Sequence, residues 1–281
     1  MATRNGSLIR SLGTCARLGL ALLLLGGQAA YAQRSIRQPP RNVVFILADD
    51  HRYDFMGFHP NAPEWLQTPN LDRMARGGAH LANAFVSTAL CSPSRASILT
   101  GQYAHRHGVV DNNTDIPAGT RFFPQYLQQG GYRTAMIGKW HMGQDTDAPR
   151  PGFDHWVSFR GQGVYVDPVL NVDGERRQVR GHTSDILTGY AVEWLQEQRK
   201  AGTPFFLYLS HKAVHAEFQP AKRHEGRYAH VAPRYPETMR RDSRGIDTWP
   251  DWVKEQRNSW HGVDYMYHGR INFNDFYRRY A

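Results

Sequence analysis

Three stretches of the chain are apolar at almost every position, and each gives way abruptly to polar, reactive side chains. Asn42–Ala48 (NVVFILA) runs into Asp49-Asp50-His51, Thr134–Gly138 (TAMIG) into Lys139-Trp140-His141, and Pro204–Ser210 (PFFLYLS) into His211 and then His215. A β-favouring run without polar alternation has no face to give to water, so each predicts a strand covered on both sides, as in a mainly parallel sheet. Helical patterns lie between them. Thr68-Pro69 offers an N-cap and a proline at the first helical position, and Gly77-Gly78 ends that helix. A short helix over Phe123–Gln129 is closed by Gly130-Gly131. The clearest covers Thr183–Lys200, where Ile186, Leu187, Tyr190, Ala191, Trp194 and Leu195 recur at helical spacing before Gly202 and Pro204 stop it. Strands alternating with helices predict an α/β fold, a mainly parallel sheet sandwiched by helices, with functional groups at the carboxyl ends of the strands. All three polar clusters fall there.

The flanks read differently. Arg4, Arg10 and Arg17 precede an apolar run, Leu18–Leu25, and small residues close it at Ala30-Tyr31-Ala32. That run is well short of the roughly 20 residues a spanning helix needs, and an A-x-A site follows it directly. Residues 1–32 are therefore expected to be a signal peptide cleaved after Ala32, leaving a mature domain over 33–281 that is periplasmic or secreted, with no stable membrane association. Gln219–Tyr267 is rich in Arg, His, Pro and aromatics without periodicity, which predicts long surface loops, and a helix is expected near Ile271–Tyr280.

With 41% hydrophobic and 21% charged residues over 281 positions, the chain is an ordinary globular protein, not a disordered tail, a disulfide miniprotein or a fibrous repeat. The formal net charge is +9, part of it in the three leader arginines. The basic balance suits a polyanionic ligand, but no nucleic-acid-binding motif accompanies it and no nucleic-acid partner is expected. Of the two cysteines, Cys15 leaves with the leader, so Cys91 stands alone in a compartment that favours disulfides.

Asp49-Asp50 places two carboxylates side by side at a strand end, a costly pairing unless a cation lies between them, and the oxygen ligation suits Ca²⁺ or Mg²⁺. Taken alone, the pair also fits a solvated acidic turn. Cys91 lies in ALCSPSRASILTG, where Ser-Pro-Ser begins a helix, so its side chain meets free backbone N–H groups and the positive end of the helix dipole, with Arg95 one turn on. That arrangement receives anions, and a thiolate nucleophile is the generic reading.

The stretch Cys91-Ser92-Pro93-Ser94-Arg95 followed by ASILTG resembles the sulfatase signature, in which the cysteine of C-x-P-x-R is oxidised after synthesis to formylglycine. GYRTAMIGKWH at Gly131–His141 resembles the family's second signature, and NVVFILADD, TPNLD and FFLYLSHKAVH resemble further segments in the expected order. The resemblance implies an alkaline phosphatase-like fold and a sulfuric ester hydrolase. In it Asp49, Asp50 and the modified Cys91 ligate a divalent cation, usually calcium. Hydrated formylglycine attacks sulfur; Arg95 and Lys139 form the anion clamp; His141 contacts the hydrated aldehyde as a base; His215, rather than His211, protonates the leaving oxygen. A formylglycine-generating enzyme is implied as a transient partner.

Sulfatases continue beyond this point with an Asp-Asn pair for the metal and a further lysine for sulfate, so the resemblance implies that the sequence is C-terminally incomplete. The loops Gly152–Gly163 and Asn171–Gly174 look most like enzymes acting on sulfated amino sugars, such as N-acetylglucosamine-6-sulfatases, and a sulfated glycan is the expected substrate. The alternatives are a phosphoester or phosphonate hydrolase of the same superfamily and a non-catalytic glycan-binding remnant.

Overall fold

The three apolar runs lie side by side in one sheet. The structure is a computed structural model that describes residues 40–232 and 246–248. The chain divides into two units, Met1–Asn42 and Val43–Ala281, and everything below lies in the second. The expected signal peptide and the expected helix near Ile271–Tyr280 fall outside the described residues.

Six strands, β1 (Val43–Leu47), β2 (Arg133–Lys139), β3 (His155–Phe159), β4 (Val169–Val172), β5 (Glu175–Gln178) and β6 (Phe205–Ser210), are ordered β1-β6-β2-β3-β4-β5. The first three pairings in that order are parallel, and β3–β4 and β4–β5 are antiparallel. The β4–β5 hairpin turns through Asp173 and Gly174, both with positive φ (51° and 101°), the conformation a tight two-residue turn demands.

Period-two alternation on β2 and β6 sends side chains into two layers. Ala135, Ile137, Leu207 and Leu209 pack with Leu187, Ala191 and Trp194 of the long helix α5 (Thr183–Ala201). Met136, Phe206 and Tyr208 face the other way, onto Ala96 and Leu99 of α2 (Cys91–Thr100) and Leu127 of α4 (Phe123–Gln129). The sheet is thus sandwiched by helices as the pattern predicts.

The expected burial holds for β2 and β6 but not for β1, where Val43, Val44 and Ile46 are exposed at 43%, 46% and 55%. Among the described residues β1 is an edge strand with β6 as its neighbour, so only Phe45 and Leu47 reach the layer below, Phe45 meeting the Tyr208 ring at 5.3 Å. The first helix, α1 (Pro69–Gly77), starts where Thr68-Pro69 predicts, yet the Thr68 hydroxyl does not cap it. Thr68 Oγ1 instead accepts from Gly57 N (2.6 Å) and donates to Asp72 Oδ1 (2.8 Å), tying the preceding loop to the helix. A one-turn helix, α3 (Ala104–His107), completes the described set, and the described part of the expected loop region holds turns and short 3-10 segments at Lys222–His224 and Ile246–Thr248.

Register decides where the chemistry lands. Leu47, Ser210, Gly138 and Ser158 form one row across β1, β6, β2 and β3, so the residues that follow them emerge along a single edge. Gly138 makes this row possible: at φ +121° a Cβ there would lie 1.8 Å from the Ser210 carbonyl oxygen. Gly138→Ala should therefore cost about 3 kcal/mol or more, since backbone strain and overlap with a neighbouring strand act together. Urea unfolding would measure it, and a cost below about 1 kcal/mol would contradict the close approach described.

Candidate active site

Asp49 follows β1 and is stitched by its backbone to the segment after β6. Its N–H donates to Ala213 O (2.9 Å), its C=O accepts from Val214 N (2.8 Å), and His211 N donates to Leu47 O (2.9 Å). Its buried carboxylate faces two cations. Lys139, fully buried at the end of β2, donates through Nζ to Asp49 Oδ2, and Arg95 Nη2, itself only 2% exposed, lies 3.4 Å from the same oxygen. Arg95 Nη1 also donates to Lys139 O (2.8 Å) and to Ser210 Oγ, while Ser210 Oγ donates to Lys139 O (2.9 Å).

Cys91 is the first residue of α2, half-buried, with its Sγ 3.6 Å from Asp49 Oδ1 and 3.8 Å from Lys139 Nζ. The preceding Leu90 gives the helix no side-chain cap, so α2 presents its amide end to this cluster. His141 is brought close by Ser92, whose hydroxyl donates to the His141 carbonyl. His215 lies on the turn after β6. Its Nδ1 bonds the Ala216 carbonyl (2.7 Å), which can only accept, so Nδ1 carries the proton and Nε2 faces Asp50 Oδ2 at 3.6 Å. Asp50 itself is in the left-handed region, at φ +56°. His211, the alternative histidine, has a buried Nδ1 with no hydrogen-bond partner and lies outside this group.

Ligand atoms of Asp49, Cys91 and His215 lie within 4.8 Å of one another. These three residues could hold a cation, with Asp49 Oδ1 turned to the thiol while Oδ2 serves Lys139 and Arg95, and with the Asp50 carboxylate 3.6 Å from His215. The residues together supply fewer than the six oxygens calcium prefers.

The electrostatics follow from burial. Desolvation opposes the charge of Asp49, but Lys139 and then Arg95 outweigh it and hold the carboxyl below its usual range. Desolvation lowers Lys139, with Asp49 opposing that and Arg95 adding to it. Asp49 is thus held as the carboxylate between the two basic side chains. Burial pushes the Cys91 thiol up, Lys139 opposes it, and Asp49 and Asp50 reinforce it, so the side chain is a thiol and not the thiolate of the generic reading. His141 is lowered to about 3 by burial first, then by Lys139 and Arg95, and is neutral.

Several polar partners were not foreseen in the sequence. Gln162, after β3, accepts from Lys139 Nζ through Oε1, and its position between Gly161 and Gly163 at a strand's carboxyl end was the available signal. Lys212, only 3% exposed, donates to Ala216 O (3.0 Å) and sits over the Tyr165 ring, whose hydroxyl donates to His215 O (2.7 Å). These contacts fix the turn that carries His215.

The neutral state of His141 has a consequence for stability. Its folded pKa of about 3 lies below the ordinary 6.5, so between those values the unfolded chain binds a proton that the folded chain does not. The stabilisation is present above pH 6.5 and is lost as pH falls towards 3. Replacing His141 by Gln should reduce the loss of unfolding free energy between neutral pH and about pH 4.5 by roughly 2 kcal/mol. Urea titrations at both pH values would show it, and an unchanged difference would contradict a neutral buried imidazole.

A model of the sulfatase family matches residues 41–279. The N-acetylglucosamine-6-O-sulfatase of Bacteroides thetaiotaomicron is 38% identical over 223 residues, 78% of this chain and 38% of the relative. The N-acetylgalactosamine-6-sulfatase of Mus musculus is 31% identical over 236 residues, 71% of this chain and 44% of the relative. A solved structure of a protein in complex with its substrate D-glucosamine-2-N,6-O-disulfate is similar at a TM-score of 0.70 with 34% identity, covering 85% of this chain and 47% of that one. The chain spans less than half the length of each of these relatives. Its sheet and helices are arranged as in the alkaline phosphatase-like fold of its structural neighbours. With the family model covering nearly all of the chain beyond residue 40, the chain belongs to the sulfatase family.

Proposed function

We propose that the protein hydrolyses sulfate esters of amino sugars within sulfated glycans, with Asp49, Asp50, Cys91, Arg95, Lys139, His141 and His215 as its working residues. The observation that carries this reading is the buried group in which Lys139 and Arg95 share the Asp49 carboxylate against Cys91 Sγ. Such a group has a carboxylate for a cation, charge for an anion and a modifiable side chain between them. The names of the relatives, which act on or bind 6-sulfated amino sugars, support the substrate class.

Converted to formylglycine by a generating enzyme, Cys91 would supply a hydrated aldehyde as nucleophile, and Asp49, Asp50 and that residue would hold a divalent cation for charge neutralisation, calcium suiting the oxygen donors. The remaining work belongs to the chain. Lys139, against both Asp49 and Cys91, supplies positive charge beside the nucleophile and the sulfate. Arg95 holds the Asp49 carboxylate and the Lys139 backbone in place. His141 is neutral and able to take a proton from a hydroxyl, and His215, with its Nδ1 hydrogen held by the Ala216 carbonyl, turns Nε2 to the site as the nitrogen that would serve the leaving oxygen. We assign the reaction to the periplasm or the outside of the cell on the strength of the leader-like pattern in residues 1–32.

Two outcomes are expected. In protein carrying formylglycine, Cys91→Ala should lower turnover of an aryl sulfate by ~10³-fold or more while the thermal transition stays within a few degrees. Retained turnover would sink the mechanism, and sulfated-glycan binding without turnover in either version would identify a binding remnant. Chelation should abolish turnover and Ca²⁺ should restore it, with aryl sulfate cleaved faster than aryl phosphate. The opposite preference would make the protein a phosphoester hydrolase.

A further inference from the structure

We propose that Gln144 is a positioning residue that fixes the orientation and tautomer of His141, so that Nε2 is the nitrogen free to accept a proton. This rests on the reading of His141 as a base. Gln144 lies three residues beyond His141, on the loop that leaves β2, and its side-chain amide is enclosed on three sides. Nε2 donates to Asn112 O (2.8 Å) and lies 3.3 Å from His141 Nε2, while Oε1 abuts Gly161, where a Cβ would come within 2.8 Å of it.

The assignment of hydrogens follows from what these partners can do. A backbone carbonyl only accepts, so the Gln144 nitrogen, not its oxygen, must face Asn112. The same nitrogen faces His141 Nε2 with its second hydrogen, and a protonated Nε2 there would set donor against donor. The imidazole proton is therefore on Nδ1, which is buried and has no hydrogen-bond partner. An unpaired buried donor costs about 1–3 kcal/mol, so nothing at Nδ1 favours this arrangement, and the Gln144 contact supplies the preference.

The contact is also tied to the nucleophile's helix. Asn112, whose carbonyl holds Gln144, accepts from Ser92 N through Oδ1 (3.0 Å), and the Ser92 hydroxyl donates to the His141 carbonyl. Asn112 thus registers the first turn of α2 and the Gln144 amide at once, and with them the distance between Cys91 and the imidazole. The Gly143 φ of +99° folds the loop so that a Cβ there would lie 2.4 Å from Asp115 Oδ1, which keeps Gln144 against this segment.

Ring ¹⁵N–¹H correlation spectra of the full chain labelled in histidine test the assignment without any turnover, with His141 identified by its loss in His141→Gln. The expected result at neutral pH is a protonated Nδ1 and a bare Nε2 in the wild type, a mixture of tautomers in Gln144→Met, and a proton moved to Nε2 in Gln144→Glu. A protonated Nε2 in the wild type overturns the proposal, as does an unchanged tautomer in a folded Gln144 variant. In the formylglycine-bearing enzyme, Gln144→Met should lower kcat by about tenfold or more with KM changed far less, the mark of a group acting in the proton transfer. A wild type that has the expected tautomer but no sulfatase activity sinks the hydrolase reading alone. A wrong tautomer in an active enzyme sinks the Gln144 proposal alone.

Discussion

One carboxylate shared by two buried cations holds the centre of this molecule together. Asp49 comes from the end of β1, Lys139 from the end of β2 and Arg95 from α2, one turn beyond Cys91, so their contacts join two strands and a helix at one point. Removing one partner from a buried pair leaves an uncompensated charge and costs about 3–5 kcal/mol, whereas the intact group contributes little net stability after desolvation. Its value is geometric. Three segments far apart in sequence cannot shift relative to one another without exposing or unpairing a charge in a dry site, and the Arg95 bonds to Lys139 O and Ser210 Oγ extend that constraint to β6.

The row Leu47, Ser210, Gly138 and Ser158 is the sheet's side of the same constraint. Parallel strands in this register deliver Asp49, Lys139 and the turn bearing His215 to one edge, and α2 meets that edge with its amide end, beside Cys91. Charge of both signs then sits in a region where burial controls protonation. Asp49 is held ionised, Cys91 is held as a thiol and His141 is held neutral, three outcomes from one desolvated environment that differ because the neighbours of each group differ.

Much of this was legible in the residues. Uninterrupted apolar runs located β1, β2 and β6, and punctuation by Pro and Gly located α1, α4 and α5 within a residue or so. The strands β3, β4 and β5 were not legible because none is an uninterrupted apolar run: β3 (HWVSF) and β4 (VLNV) are broken by polar residues, and β5 (ERRQ) is exposed throughout, with no apolar pattern to detect. The exposure of β1 depends on which strand lies beside it, which composition does not encode. For the site, Asp49, Cys91, Arg95, Lys139 and His215 stood out because motifs gather unusual residue types. Gln144, Gln162, Asn112 and Ser210 did not, because a neutral polar side chain on a loop or strand end is ordinary until the fold shows which partner it meets.

The first turn of α2 carries a last consequence. Ser92, Pro93 and Arg95 are all buried once that helix has docked, and Arg95 is bonded to Asp49, the Lys139 carbonyl and Ser210. A catalyst that reads CSPSR by its side chains would find only Cys91 and Ser94 partly exposed on the finished protein, with Ser92, Pro93 and Arg95 out of reach. Chemistry at Cys91 that depends on such reading must therefore run ahead of docking, in the interval when the segment is still an extended chain. If Cys91 is altered in this way, the fraction of molecules altered is set by a race between that chemistry and the closing of the helix onto the sheet, and a slower-folding chain would be the more completely altered one.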